Sequence, residues 1–151
     1  MAAGSIIQVS NVATGGITST VGSTSLTGVG GFGNLNEGLY AYTGVDANTP
    51  TTFLTAMFNG TADGSGSTLT GTGLTLGSNA IEFGNNHDIF EYTGDRGNES
   101  SFSGYLGLVN NASNWISEDG AGNQSGNGLP PDTPFSDQGF STTKATPEPS
   151  S

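Results

Sequence analysis

The chain has 151 residues, of which 26 are glycine, 10% are charged and none is cysteine, and this length fits one domain with a buried core. The net charge of −11 includes only two Lys or Arg residues, too few to neutralise nucleic-acid phosphates. The lack of cysteine excludes disulfides, thiolate catalysis and zinc–thiolate sites. No run of about 18 apolar residues occurs, so the sequence predicts no membrane-spanning segment.

Short apolar stretches separated by Gly, Asn, Asp and Pro predict about eight strands. In chain order these cover residues 4–12, 17–29 (one or two strands), 39–43, 53–58 (a strand or a short helix), 68–76, 80–83 and 88–93. Farther on, Phe102, Tyr105, Leu106 and Val109 lie at positions i, i+3, i+4 and i+7, which predicts one short amphipathic helix.

This pattern is typical of an all-β fold, and we predict an antiparallel β-sandwich or jelly-roll-like domain with at most one short helix. Residues 1–135 are expected to form the domain, with residues 1–16 as a candidate donor-strand arm. Residues 136–151 are rich in Pro, Ser and Thr and predict a polar tail.

A short unit occurs twice in the sequence. Residues 39–44 and 89–94 both end in Tyr-Thr-Gly, and each copy is followed by a polar turn and then a Phe. Strand alternation places Tyr40 and Tyr42 on one face of the first copy. We interpret the copies as two core strands with aromatic inward faces, and a duplicated binding edge is the alternative.

No motif indicates catalysis, so we predict that the protein is not an enzyme and requires no cofactor. Residues 28–33 match the glycine pattern of dinucleotide sites, but a strand follows where a helix is needed. A Ser–His–Asp triad would have to use the single histidine, His87, but the sequence has no nucleophile-elbow motif. Asp88 beside it would face the other side of a strand. His87 is interpreted as a solvated loop residue. The 13 acidic residues show no spacing that defines a glycosidase pair.

One acidic region is a candidate calcium site. Glu118 and Asp119 lie in a loop rich in Gly and Asn, and Asp132 follows. Carboxylate and carbonyl oxygens are the ligands that Ca²⁺ prefers. No EF-hand pattern is present, and plain solvation of these carboxylates is the alternative.

The segment 5–12 is apolar, uncharged and free of the lysine or proline that usually guards a sheet edge. We predict that it is the donor in β-strand addition between copies of the chain, which builds an extracellular filament, surface layer or matrix. The predicted interface residues are Ile6, Ile7, Val9 and Val12. Two alternatives stay open: the strand pairs within its own subunit, or the protein is a monomeric surface module that binds polysaccharide or calcium.

Two stretches resemble known families. Pro147-Glu148-Pro149 resembles the signature of bacterial PEP-CTERM sorting signals, without the apolar helix and basic end that follow it in that family. Residues 35–116 are similar to a β-rich module of secreted bacterial proteins, in the Tyr-Thr-Gly endings and in residues 110–115, although residues 36–38 depart from its Gly-Asp-Gln. That module has no assigned catalysis. Both resemblances imply a protein secreted to the bacterial cell surface or biofilm matrix.

Overall fold

A computed structural model describes residues 7, 9–10, 16–25, 36–64, 67–84, 87, 89–120 and 124–143. Within these ranges the chain forms seven strands, one short α-helix and three 3₁₀ turns. The strands are β1 (Val9–Ser10), β2 (Thr18–Ser19), β3 (Glu37–Gly44), β4 (Pro50–Asn59), β5 (Ala80–Glu82), β6 (Ile89–Tyr92) and β7 (Trp115–Glu118); the helix is α1 (Tyr105–Val109), and the 3₁₀ turns are Phe102–Gly104, Ala112–Asn114 and Gln124–Gly126. The predicted β-rich fold with one short helix is confirmed.

The strands form three small sheets. β1 pairs with β2, β6 pairs with β7, and a three-stranded sheet has the order β3-β4-β5. All pairs are antiparallel except β4 and β5, which are parallel. A parallel pair needs a long connection, and residues 60–79 supply it here. This pair makes the three-stranded sheet mixed, whereas the other described pairs are antiparallel as predicted.

Residues 53–58, predicted as a strand or a short helix, form part of β4, which pairs with β3 in a hairpin. The register shifts between Ala41 and Tyr42, where Leu54 is the extra residue on β4. As alternation predicts, Tyr40 and Tyr42 share a face, and both rings make edge contacts with Phe53, at 5.7 and 5.8 Å between centroids. The opposite, outer face of the hairpin is rich in exposed threonine.

The first core lies on the inner face of β4. Its buried residues are joined by partly buried ones from β3 and from the connection to β5; they are Ala56, Phe58, Ala62, Leu74 and Ala80, with Tyr40, Phe53 and Leu69 against them. Phe58 is fully buried, at 0% exposure. Glu82 on β5 accepts the Ala62 N–H at 2.8 Å, which ties the connection back to the sheet.

A second cluster is a continuous series of aromatic rings, which we call the aromatic chain. Phe83 contacts Phe90 at 4.4 Å and Trp115 at 5.2 Å between centroids. The series continues from Trp115 through Tyr92, Phe140 and Tyr105, at 5.4, 5.6 and 4.9 Å. These contacts join the end of β5, the β6–β7 sheet, α1 and the C-terminal part of the described chain.

In both Tyr-Thr-Gly endings the tyrosine hydroxyl binds a backbone carbonyl of the following turn, five residues on in the first copy and three in the second. The Tyr42 hydroxyl donates to the Ala47 carbonyl, and the Tyr92 hydroxyl donates to the Asp95 carbonyl at 2.9 Å. In both copies an aspartate in the following turn accepts backbone N–H bonds. A Cβ on Gly44 would lie 2.4 Å from a backbone oxygen, and one on Gly94 would lie 2.5 Å from the Tyr92 hydroxyl oxygen. Glycine is therefore required in each copy.

Residues 68–76 were predicted as a strand and form turns instead, with one isolated bridge at Leu76. Asp63 is the cause. Its Oδ1 accepts the N–H groups of Leu69 and Thr70 at 2.7 and 2.9 Å. The Thr70 bond first, and the Leu69 bond after it, hold the pKa of Asp63 below its ordinary value of 3.8.

Phe58 should carry a large share of the stability of the first core. We expect Phe58→Ala to lower the free energy of unfolding by about 3–5 kcal/mol, because it leaves a cavity in a fully packed site. Leu54→Ala is the control on the same strand: Leu54 is 53% exposed, and its truncation should change stability by no more than about 0.5 kcal/mol. Urea unfolding measures both, and equal effects would contradict this core.

Asp63→Asn should lower the melting temperature at pH 7, because a neutral amide oxygen accepts weaker hydrogen bonds than a carboxylate. The folded-state pKa lies below 3.8. The contribution of the carboxylate is therefore fully present above that pH and disappears as the pH falls through the lower folded-state value. The difference in melting temperature between wild type and variant should shrink on acidification. Asp119→Asn, at an exposed carboxylate, is the control, and a pH-independent difference for Asp63→Asn would contradict the assignment.

Candidate functional site

The predicted donor residues fall partly within the described chain. Ile7 is 43% exposed and Val9 is half-buried on β1, whereas Ile6 and Val12 lie outside the described residues. β1 pairs with β2 of its own chain through Val9↔Ser19 and one further pair. This is the within-subunit pairing that we gave as an alternative. It uses one edge of β1, and no described strand pairs with the other edge.

β3 lies at an edge of the largest sheet. Among the strands that the structure describes, it pairs with β4 alone. It has 8 residues, and after Glu37 it carries no charge. Leu39 is 37% exposed, and Ala41 and Thr43 are exposed on the same face. β3 therefore presents a long and neutral edge with apolar side chains.

The outer face of the β3–β4 hairpin continues this neutral character onto the central strand. Ala41 is paired with Thr55, and both side chains are exposed. Leu54, the bulge residue, is 53% exposed. Neither strand carries Lys, Arg or Asp, and Glu37 is the one acidic residue among them.

Residues 138–143, which we call the strap, lie within the predicted polar tail 136–151 and pack against the domain. The Ser141 N–H donates to the Arg96 carbonyl at 2.8 Å, and the Thr143 N–H donates to the Glu99 carbonyl at 2.9 Å. The Tyr105 hydroxyl donates to the Ser141 carbonyl at 2.6 Å.

Phe140 anchors the strap between Tyr92 and Tyr105 in the aromatic chain. The Arg96 guanidinium lies over the rings of Tyr92 and Phe140, at 5.2 and 5.4 Å from their centroids, and donates to the carbonyls of Gln138 and Tyr92. Phe140 is the one aromatic residue after position 136. This lone aromatic residue in a polar segment is the sequence signal that indicates where the segment docks.

A cleft of about 530 Å³ opens beside the strap. Its walls come from the end of β6, the turn after it and the segment that leads into the strap: Glu91, Tyr92, Thr93, Gly94, Asp95, Arg96, Gly97, Ser136 and Gln138. Glu91 Oε1 accepts the Ser136 N–H at 3.2 Å, and Arg96 donates to two carbonyls. The charged groups of the cleft therefore hold the segment in place.

The predicted calcium residues do not form a cluster. Glu118 Oε1 accepts from Asn127 at 2.8 Å, and Glu118 Oε2 is buried without a hydrogen-bond partner. Asp132 uses both oxygens for backbone N–H groups of its own turn, at 2.9 and 2.8 Å, and Asp119 is exposed. In the described ranges no three His, Cys, Asp or Glu side chains come together as a metal site. The calcium site stays a prediction.

His87 is half-buried and not the solvated loop residue that the sequence suggested. Its ring lies 5.5 Å from that of Phe90, its Nδ1 is buried without a partner, and its carbonyl accepts from Asn59 Nδ2 at 2.7 Å. Asp88 lies outside the described residues. His87 therefore extends the aromatic chain at its β6 end.

Comparison with protein-family models, with curated proteins and with solved structures finds no match to this chain. None of the described helices is long and apolar enough to cross a membrane. Function must therefore be inferred from the residues themselves. The most distinctive feature among those described is the pair of neutral edges on β1 and β3.

Phe140 should hold the strap closed. We expect Phe140→Ala to raise the rate at which a broad-specificity protease cleaves residues 136–143 by about tenfold, which corresponds to about 1.4 kcal/mol of local stability. Phe135→Ala is the control, since Phe135 is 44% exposed and makes no ring contact among those described. Mass spectrometry locates the cuts. Equal cleavage of the two variants would show that the backbone bonds alone hold the strap.

Proposed function

We propose that this protein is a non-catalytic structural subunit that assembles with copies of itself by β-strand addition, outside the cell at the bacterial surface. The observation that carries the proposal is a pair of neutral strand edges, one on β1 and one on β3, without strand partners in the described chain. An edge of this kind exposes N–H and C=O groups that a neighbouring chain can satisfy.

The net charge favours these edges over other surfaces for self-association. Copies that each carry −11 repel one another wherever acidic groups approach closely. Residues 5–12 and 38–44 carry no charge. A contact between two neutral strands can therefore form with less electrostatic cost than a contact between acidic loops.

Pairing with a further strand would stabilise the N-terminal hairpin. Among the residues that the structure describes, β1 and β2 form a sheet of two strands, and an isolated two-stranded sheet is marginally stable in water. Ile7 is 43% exposed in the single chain. Burying Ile7 and Val9 against a neighbour would contribute roughly 3–6 kcal/mol per junction before the entropic cost of association.

The location outside the cell is supported by composition and by the resemblances described above. Two Lys or Arg residues and no cysteine are unusual for a cytosolic protein. The Pro147-Glu148-Pro149 signature points to the same place.

Removal of residues 1–12 should abolish assembly and leave the domain folded, because both cores are built from residues that follow position 36. A chain without residues 144–151 is the length control and should assemble like the wild type. Negative-stain microscopy and sedimentation report assembly, and near-ultraviolet circular dichroism reports the fold.

Two results would contradict the proposal. Polymers that persist without residues 1–12 would rule out the N-terminal donor. A wild-type chain that stays monomeric at every concentration would favour the monomeric surface module instead.

A further inference from the structure

We infer that the acceptor for the N-terminal hairpin is the outer edge of β3 in a second copy of the chain, so that one sheet with the order β2-β1-β3-β4-β5 runs across each junction. This inference rests on the proposed function and names the surface through which it acts. β2 occupies one edge of β1, and β4 occupies one edge of β3. The remaining edges of β1 and β3 are the two that would meet.

Length distinguishes β3 from β2, which has 2 residues, and both length and charge distinguish β3 from the other described edges. β5 has 3 residues, and β6 and β7 have 4 each. Each of these short strands carries an acidic residue. β3 has 8 residues, the same length as the neutral segment 5–12, and its residues 38–44 are uncharged. Residues 38–44 therefore offer the donor a longer uncharged partner than any of these short strands.

The C-terminal part of the described chain contacts β6. Glu91 accepts the N–H of Ser136, and the Tyr92 carbonyl accepts from Arg96. Arg96 also donates to the Gln138 carbonyl, so residues 136 and 138 are both tied to the end of β6. On β3, Thr68 binds the Tyr40 hydroxyl, but among the described residues only β4 forms hydrogen bonds with the backbone of residues 38–44.

The rings on β3 are covered from the β4 side. Tyr40 contacts Phe53 and Phe58, and Tyr42 contacts Phe53. Both of these phenylalanines lie on β4. Both tyrosines are half-buried. Adjacent strands lie about 4.8 Å apart, so apolar residues of an added strand would cover the other side of these rings.

This arrangement reconciles the two alternatives for the N-terminal strand. β1 keeps its pairing with β2 inside its own subunit, and the hairpin adds as a unit to the next subunit. Donor and acceptor are different surfaces of one chain, so the contact is head-to-tail. Contacts of this kind continue into an open fibre unless the rotation between subunits closes a ring.

The test uses full-length chains that are blocked at one surface each. Leu39→Glu with Ala41→Glu blocks the acceptor, and Ile7→Glu with Val9→Glu blocks the donor, because each pair brings like charge into the neutral contact. Thr55→Glu is the matched control. Thr55 is paired with Ala41 and exposed like it, but it lies on the central strand.

We expect each blocked variant to be monomeric alone, with a circular dichroism spectrum and melting behaviour that show a folded domain. Mixed in equal amounts, the two variants should form a 1:1 complex of twice the monomer mass in sedimentation, because one supplies the donor and the other the acceptor. Thr55→Glu should assemble like the wild type. If the acceptor-blocked double variant fails to fold, Thr43→Glu, exposed on the same strand, replaces it.

The outcomes separate this inference from the proposed function. If the wild type assembles and the acceptor-blocked variant assembles equally well, β3 is not the acceptor, although assembly itself stands. The same conclusion follows if the mixture stays monomeric. Assembly that is lost in Thr55→Glu and kept in the acceptor-blocked variant would show face-to-face packing and overturn the inference. A monomeric wild type would overturn the proposed function and this inference with it.

Discussion

Contact between aromatic rings is the interaction on which the packing of this protein depends. With 13 acidic residues and only two Lys or Arg, few positions can be stabilised by ion pairs. The residues that predominate, Gly, Ser and Thr, bury little apolar area. Rings supply that area instead, and each offset or edge-on pair adds about 0.5–1.5 kcal/mol beyond it. The aromatic chain links β5, β6, β7, α1 and the strap, and a smaller group around Phe53 and Phe58 holds the β3–β4 hairpin.

The turns depend on the same rings, because a packed tyrosine places its hydroxyl over the chain that follows it. Tyr42 and Tyr92 each close the turn after a Tyr-Thr-Gly ending in this way. Tyr105 reaches the strap, and Tyr40 both donates to the Thr68 carbonyl and accepts the Thr68 N–H. In the loops, hydrogen bonds between side chains and the backbone thus satisfy backbone groups that ladder hydrogen bonds satisfy in the sheets. Loss of a ring would therefore loosen the turn as well as the core.

Local patterns in the sequence predicted the parts of the fold that depend on local geometry. Alternation placed Tyr40 and Tyr42 on one face, and the spacing from Phe102 to Val109 predicted the one α-helix among the described residues. Residues 68–76 alternate like a strand, but two of their N–H groups donate to the Asp63 side chain. Asp63 precedes this stretch, so the alternation within it does not indicate the contact.

The parallel pairing of β5 with β4 and the docking of the strap are also non-local, since they join residues far apart in the chain. Of the candidate site, the sequence indicated the neutral segment 5–12. It did not indicate the β3 edge, because whether a strand lies at an edge depends on the order of strands in the sheet.

The charge of the chain also bears on why neutral edges would not lead to indiscriminate aggregation. A flat, apolar edge pairs with any strand that it meets. The β3–β4 pair is not flat, because two register shifts interrupt it, each with an extra residue on β4, and bulges increase the local twist of a strand pair. The acidic remainder of the molecule repels other approaches between copies. Attraction confined to two twisted neutral strands, and repulsion elsewhere, would select one contact among the many that a glycine- and threonine-rich surface could make.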